Sequence, residues 1–308
     1  MHRRRAAARR RRALLAVVAA AAVVAGLVVF LPGDAPSRGH AAGAARVAAT
    51  VPTTATTPTT PTTTVPEPTT TTATTRPAGP PYAVFSSTLT LVDPSRPTPA
   101  RGSVPAKAGR VLRTLVRKPA GINTPLPLVV FIHGWDSEPE VYETLLDTWA
   151  AAGYMVLAPE CPGSAKNLPG TPVSDYAAQA LDVSFVITRA LTGVAGAVDP
   201  TRIVAAGHSD GGTTMSILAL APQFHDARIK AYLALAAQIP PDVSAPWGAS
   251  HMPGALLVAV GTADEYGNEQ LATQLYQTAR MTKAFLNVPG GTHLGPFLDD
   301  TPVAQSVR

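Results

Sequence analysis

The chain has 308 residues, enough for one to three domains, and carries a formal net charge of +5. The positive charge is local, because residues 1–81 hold ten arginines against two acidic residues and have a net charge of +8. Residues 82–308 therefore carry a net charge of −3, which argues against nucleic acid as a partner. The only cysteine, Cys161, excludes an intramolecular disulfide, and we expect an inert, partly buried thiol.

Residues 1–31 are typical of a segment that directs export. Seven arginines between Arg3 and Arg12 precede an apolar run of 19 residues, 13–31, about long enough to cross a bilayer as a helix. The arginines are expected to stay in the cytoplasm, which places the rest of the chain outside. The segment is either a signal anchor that holds the protein at the membrane or a signal peptide whose cleavage yields a secreted protein.

Residues 32–81 have the composition of a disordered stalk. Positions 50–75 are mostly threonine, interrupted by five prolines, and such a sequence cannot bury a core. Proline keeps a segment of this kind extended. We therefore place a domain boundary near Pro81 and predict that residues 82–308 form the catalytic domain.

Residues 82–308 alternate between apolar runs and amphipathic segments. The predicted strands cover 84–92, 110–116, 128–132, 155–158, 202–206, 231–236, 255–260 and 283–288. The predicted helices cover 140–152, 175–191, 213–221 and 268–279. The first two strands are expected to form an antiparallel pair. The alternation that follows predicts an α/β fold with a mainly parallel central sheet and helices on both faces. Functional sites in such sheets lie at the carboxyl ends of the strands.

The strongest motif is Gly-His-Ser-Asp-Gly at 207–211, which follows an apolar strand and precedes a helix. This is the sequence form of a nucleophile elbow, a sharp strand-to-helix turn that exposes a serine hydroxyl. Gly207 and Gly211 are expected where the strand and helix backbones crowd the turn, because a Cβ there would clash. The motif predicts Ser209 as a nucleophile.

A serine nucleophile needs a base and an orienting carboxylate, which follow it in the order acid, then histidine, in this architecture. Three histidines follow Ser209, and of these His293 lies on a glycine-rich turn just beyond the last strand. His225 and His251 occupy less suitable positions. We therefore predict His293 as the general base.

Asp264 is the favoured acid, because it follows the strand at 255–260 through a short turn. Asp242, after the preceding strand, is the alternative, and Glu265 is adjacent. The oxyanion of an acyl-transfer intermediate also needs donors. The backbone N–H groups of Asp210 and Trp135 are predicted to supply them.

Residues 82–308 resemble the α/β-hydrolases, and within them the group of dienelactone hydrolases, platelet-activating-factor acetylhydrolase-like enzymes, chlorophyllases and bacterial polyester hydrolases. The matching segments are 133–135, 153–159, 199–212, 245–247, 261–264 and 283–293. The resemblance implies the α/β-hydrolase fold and a substrate pocket flanked by Trp135 and Trp247. Segment 238–253 is too short for a large helical lid, which predicts an open site.

Together these features predict an exported serine hydrolase that cleaves carboxylic esters through a Ser209–Asp264–His293 triad. The expected partner is a small-molecule or lipid-like ester, and neither a metal nor a cofactor is expected. The domain is expected to be monomeric, with the membrane contacted only through the N-terminal helix. The alternatives are a serine peptidase or acyltransferase of the same fold, or a non-catalytic binding module.

Overall fold

The computed structural model describes residues 80–169, 175–241, 245, 247 and 252–298. The predicted N-terminal segment and stalk lie outside the described residues. Eight strands form one sheet; they are β1 (Val84–Asp93), β2 (Arg110–Pro119), β3 (Leu126–Ile132), β4 (Met155–Pro159), β5 (Val198–His208), β6 (Ile229–Leu235), β7 (Ala255–Gly261) and β8 (Thr282–Val288).

The strands are ordered β1-β2-β4-β3-β5-β6-β7-β8 across the sheet. Strand β2 runs antiparallel to both of its neighbours, β1 and β4. All pairings from β4 to β8 are parallel. The opening antiparallel pair and the mainly parallel sheet are therefore confirmed. The crossing order around β3 brings β3 beside β5, so the loop after Ile132 lies next to the elbow after His208.

Five α-helices connect or follow the strands; they are α1 (Glu143–Ala151), α2 (Tyr176–Leu191), α3 (Asp210–Leu220), α4 (Asn268–Thr278) and α5 (Gly295–Leu298). Successive side chains of a strand point to opposite faces, and β3 shows this directly. Leu128 and Val130 enter the core under α2, α3 and α4, whereas Val129 and Phe131 pack on the opposite face with α1 and α5. The prediction of helices on both faces of an α/β sheet is confirmed.

Among the helices, the largest differences from the prediction are at the starts of two of them, and strands β2 and β5 are longer than predicted. The helix predicted from 140 is preceded by a 3₁₀ turn, Pro139–Tyr142, and its α-helical part starts only at Glu143. The elbow helix starts at Asp210, three residues earlier than predicted, despite two glycines in its first turn. Glycine has a low helix propensity, so a prediction from local sequence began this helix after the two glycines.

No helix among the described residues is both long enough and apolar enough to span a membrane. Segment 238–253, which is too short for a large helical lid, is described only in part.

Candidate active site

Backbone packing explains the glycines around Ser209. A Cβ on Gly207 would overlap the carbonyl group of Gly211, and a Cβ on Gly211 would overlap the carbonyl group of Ile132. A Cβ on Gly212 would likewise meet the carbonyl oxygen of Leu235. The start of α3 therefore presses against the ends of β3, β5 and β6. Only glycine fits these contacts, as predicted for Gly207 and Gly211.

Ser209 sits between β5 and α3 with φ +57° and ψ −116°. A non-glycine residue rarely adopts such a positive φ, and the strain costs about 1–3 kcal/mol. Its backbone is held there by two hydrogen bonds, from its N–H to the Leu235 carbonyl (2.9 Å) and from the Thr213 N–H to its carbonyl (2.8 Å). This turn brings the Ser209 side chain to the surface of the cleft.

His293 lies beside Ser209 although 84 residues separate them in the chain. Its Nε2 is 3.0 Å from the Ser209 Oγ, and its Nδ1 is 2.8 Å from an Asp264 carboxylate oxygen. The carboxyl end of β7 leads to Asp264 and the carboxyl end of β8 leads to His293. The structure thus brings together the three predicted residues, at distances that suit proton transfer from serine to imidazole.

The Asp264 side chain is completely buried. Besides His293, its carboxylate accepts hydrogen bonds from the Tyr266 backbone N–H (3.0 Å) and from the Asn268 amide (3.1 Å). The Asn268 Nδ2 also lies 3.1 Å from the His293 Nδ1. When the His293 Nδ1 carries a proton, both nitrogens are donors and cannot hydrogen-bond to each other. We therefore assign both N–H groups as donors to the Asp264 carboxylate. Three donors therefore compensate the burial of this charge.

The loop after Asp264 also fixes the position of His293. The His293 backbone N–H donates to the exposed carboxylate of Glu265 over 3.0 Å, and this hydrogen bond lowers the pKa of Glu265. The Tyr266 ring meets the His293 ring edge-on, with centroids 4.8 Å apart. The Glu265 carboxylate, the alternative acid adjacent to Asp264, therefore contacts the backbone of His293 and not its imidazole ring.

A buried chain of hydrogen bonds links three of the loops at the site. The Gly134 N–H donates to the Tyr142 hydroxyl (3.0 Å), and this hydroxyl lies 2.9 Å from the His208 Nδ1. The His208 Nε2 lies 2.9 Å from the His293 carbonyl oxygen. A carbonyl can only accept, so Nε2 carries the proton and Nδ1 accepts from tyrosine. Burial, with a smaller contribution from the neighbouring His293, lowers the pKa of His208 to about 3, so this ring stays neutral.

The two predicted oxyanion donors belong to residues that line the same cleft as Ser209. Asp210 is the first residue of α3 and directly follows Ser209. A Cβ on Gly134 would lie 3.3 Å from the Ser209 Cβ, which places the loop carrying Trp135 against the serine. No described residue accepts a hydrogen bond from the Trp135 backbone N–H.

His133 anchors that loop from inside the protein. Its Nδ1 lies 2.7 Å from the Gly134 carbonyl, and its Nε2 accepts the Cys161 backbone N–H over 3.0 Å. Burial lowers the pKa of His133, so the ring is neutral. Cys161 itself is fully buried, and burial raises the pKa of its thiol, which leaves it unreactive.

Ser209 opens into a cleft of about 710 Å³. The described lining residues are Gly134, Trp135, Asp136, Ser137, Val141, Tyr142, His208, Ser209, Asp210, Gln238, Tyr266, Asn268, Leu271, His293, Leu294 and Leu298. Trp135 is therefore at the cleft, as predicted. Trp247 instead packs against the apolar core on the side of α2 to α4 and is not among the lining residues.

The other candidate residues lie elsewhere. His225 is near the Tyr232 hydroxyl, 3.3 Å from it, in the segment between α3 and β6. Asp242 and His251 lie outside the described residues. In the described part of the chain, no group of three or more His, Cys, Asp or Glu side chains is arranged to hold a metal ion.

Four residues of the site were not predicted: Tyr142, His208, Tyr266 and Asn268. Two of them had a usable signal. His208 ends a buried strand next to the nucleophile, and Asn268 stands one helical turn after Asp264, where an amide reaches the preceding acid. Nothing in the sequence around Tyr142 points to a site, because its role depends on contacts with residues 66 positions away.

The sequence matches the model of the alpha/beta hydrolase family over residues 129–302. This span runs from within β3 to beyond α5 and includes Ser209, Asp264 and His293. Comparison of the sequence with curated proteins gives no match.

Solved structures share the fold at low sequence identity. A ferulic acid esterase from Streptomyces cinnamoneus is 23% identical, with a TM-score of 0.54 over 72% of this chain and 78% of its own. A putative dienelactone hydrolase from Klebsiella pneumoniae is 16% identical, with a TM-score of 0.53 over 73% and 95% of the two chains. A hypothetical protein from Pseudomonas aeruginosa is 14% identical, with a TM-score of 0.51 over 70% and 89%.

Proposed function

This chain belongs to the alpha/beta hydrolase family, and from that premise we propose that it cleaves carboxylic esters through an acyl-enzyme on Ser209. The observation that carries the proposal is the continuous contact from the Ser209 hydroxyl to His293 and from His293 to the buried Asp264. A binding module does not require a strained serine, a hydrogen-bonded imidazole and a buried carboxylate in one line. The arrangement therefore favours catalysis over binding.

The proposed reaction has two steps. The Ser209 Oγ attacks the ester carbonyl as His293 Nε2 takes its proton, and Asp264 stabilises the resulting imidazolium. The backbone N–H groups of Asp210 and Trp135 receive the negative charge that develops on the carbonyl oxygen. His293 then protonates the leaving alcohol, and later takes a proton from the water that attacks the acyl-enzyme and releases the acid.

An ester is favoured over an amide as the substrate. Alkoxide leaves more readily than an amine nitrogen, and the cleft is open at the surface. One structural relative is a ferulic acid esterase, which is consistent with an ester substrate for this fold. Peptide hydrolysis and acyl transfer to an acceptor other than water remain the competing reactions, because they use the same three side chains.

The proposed location is outside the cytoplasm, with the hydrolase domain held at the membrane by residues 1–31 or secreted after their removal. Seven arginines, an apolar run of 19 residues and a threonine- and proline-rich segment follow one another in the sequence and support this location. The domain at 82–308 then meets its substrate in the surrounding medium.

The substrate class is tested with the purified protein on 4-nitrophenyl esters, peptide anilides and an alcohol acceptor, with Ser209→Ala as the control. We expect Ser209-dependent release of 4-nitrophenol from short and medium acyl esters, in the presence of a chelator. Faster cleavage of anilides than of every ester would make the protein a peptidase. Ester cleavage that Ser209→Ala leaves unchanged would remove the proposal.

A further inference from the structure

We infer that the substrate is an uncharged ester with an apolar acyl group, and that esters carrying a carboxylate are rejected. This inference rests on the proposed hydrolysis at Ser209 and specifies which esters the cleft accepts. Two independent features of the cleft support it, the apolar side chains at its rim and the sign of its charged groups.

The rim of the cleft exposes large apolar side chains from three loops. Trp135 is 45% exposed, Tyr266 71%, Leu294 45% and Val141 40%. These are four of the nine large apolar side chains that are exposed in the described part of the chain, and all four border one cleft. Exposed apolar groups concentrated around a cavity mark a binding site for an apolar ligand.

The same cleft contains carboxylates and no described lysine or arginine. Asp136 and Asp210 line it, and the exposed Glu265 adjoins His293. The buried His208 is kept neutral, because burial lowers its pKa to about 3. An anionic substrate would therefore meet carboxylates with no lysine or arginine among the described lining residues, and the apolar side chains of the cleft strengthen that repulsion.

This charge distribution also suits the direction of the reaction. Hydrolysis of an uncharged ester creates a carboxylate product beside Ser209. The carboxylates of Asp136 and Asp210 repel this product, whereas the uncharged substrate is not affected. Product release is thereby favoured, and inhibition by the free acid is expected to be weak.

The charge is tested on the full-length protein with two substrates of matched size, 4-nitrophenyl butyrate and 4-nitrophenyl hemisuccinate. We expect kcat/KM to be at least about tenfold lower for the anionic hemisuccinate, and the difference to narrow as salt screens the cleft. Asp136→Asn should also reduce the difference in kcat/KM between the two esters, because it removes one carboxylate from the cleft. Asparagine keeps the side-chain oxygen that accepts the Asn167 N–H, so this hydrogen bond is retained. Asp199→Asn, at the start of β5, is the matched control and should leave the ratio unchanged.

The apolar rim is tested by comparing 4-nitrophenyl hexanoate with the acetate. Tyr266→Ala should lower the hexanoate-to-acetate ratio of kcat/KM several-fold, because it removes an exposed ring beside His293. Phe85→Ala, an exposed aromatic on β1 away from the cleft, should not. Equal rates for butyrate and hemisuccinate, independent of salt, would overturn the inference and leave ester hydrolysis standing. Failure to hydrolyse any ester would instead remove the proposed function.

Discussion

The side chains at the site divide into those that react and those that hold them. We propose that a proton moves between Ser209 and His293, and that Asp264 orients the imidazole and stabilises its charged form. Around them, neighbouring groups hold the reacting side chains in place, as the Tyr266 N–H and the Asn268 amide do for Asp264. Deleting a reacting group and deleting a holding group should therefore have different kinetic consequences.

Replacing the reacting groups should abolish activity without unfolding the protein. Ser209→Ala removes one exposed hydroxyl and His293→Ala removes the base, so both should reduce kcat to background. Asp264→Asn should cost on the order of 10³–10⁴ in kcat, because the imidazole loses its orientation and charge partner. Steady-state kinetics on an ester, with circular dichroism as the folding control, measure these effects. A nearly neutral Asp264→Asn beside a crippling Asp242→Asn would show that the acid was assigned wrongly.

Tyr142→Phe should lower kcat about tenfold and leave KM nearly unchanged. The hydroxyl holds Gly134 in the oxyanion loop and His208 behind His293, and substrate binding does not require it. Tyr154→Phe, a half-buried tyrosine that follows α1 in the chain and does not line the cleft, is the control and should have native kinetics. A rise in KM at constant kcat for Tyr142→Phe would mean that Tyr142 contacts substrate and does not act by positioning.

The elements were predictable where local patterns and long-range packing agree. The apolar run at 128–132 predicted a strand; the structure confirms it and buries both of its faces. The predicted start of α1 was wrong because Tyr142 leaves the α-helical conformation, with φ −101° and ψ 14°, and places its ring in the core. The link from Tyr142 to His208 depends on a tertiary contact, which no periodicity contains. The glycine motif was informative because one of its causes is local, the overlap of a Cβ on Gly207 with the Gly211 carbonyl group.

Gly211→Ala should prevent the elbow from forming. The added methyl group would overlap the carbonyl of Ile132, and neither β3 nor α3 can move without disrupting the sheet. We expect aggregation or a loss of more than about 3 kcal/mol in the free energy of unfolding, measured by urea titration. Gly109→Ala, whose new Cβ would meet its neighbours at ordinary van der Waals distance, is the control. A stable, active Gly211→Ala would contradict the packing described for the elbow.

For the whole molecule, two neutral buried histidines make stability depend on pH. The pKa of His208 falls from 6.5 to about 3 on folding, and that of His133 is lowered as well. Below pH 6.5 the unfolded chain binds protons that the folded protein does not, so unfolding becomes more favourable as the pH falls. The stabilisation is complete above pH 6.5 and is lost progressively towards pH 3.

Denaturant titrations at pH 7.5 and pH 5.0 measure this loss. His208 alone should reduce the free energy of unfolding by about 2 kcal/mol at pH 5.0, and His133 should add to it. His208→Asn should be less stable at pH 7.5 but should lose less on acidification. Equal or greater stability of the native protein at pH 5.0 would show that these histidines are not held neutral.

At the same scale, we propose that residues 1–31 hold the hydrolase domain at the membrane. We expect protein isolated from its native cells to be in the membrane fraction and to retain residues 1–31, because no suitable cleavage site directly follows the apolar run. Sequencing the mature N-terminus measures this. A start downstream of Ala41 would identify a cleaved, secreted product.

The most direct test of the central claim is covalent labelling with a fluorophosphonate, which reacts with a serine activated by an adjacent base. The account predicts one adduct per chain by intact mass, located at Ser209 by peptide mapping. Labelling should be absent in Ser209→Ala and strongly slowed in His293→Ala. An adduct on any other residue, or equal labelling of Ser209→Ala, would contradict the assignment of Ser209 as the nucleophile.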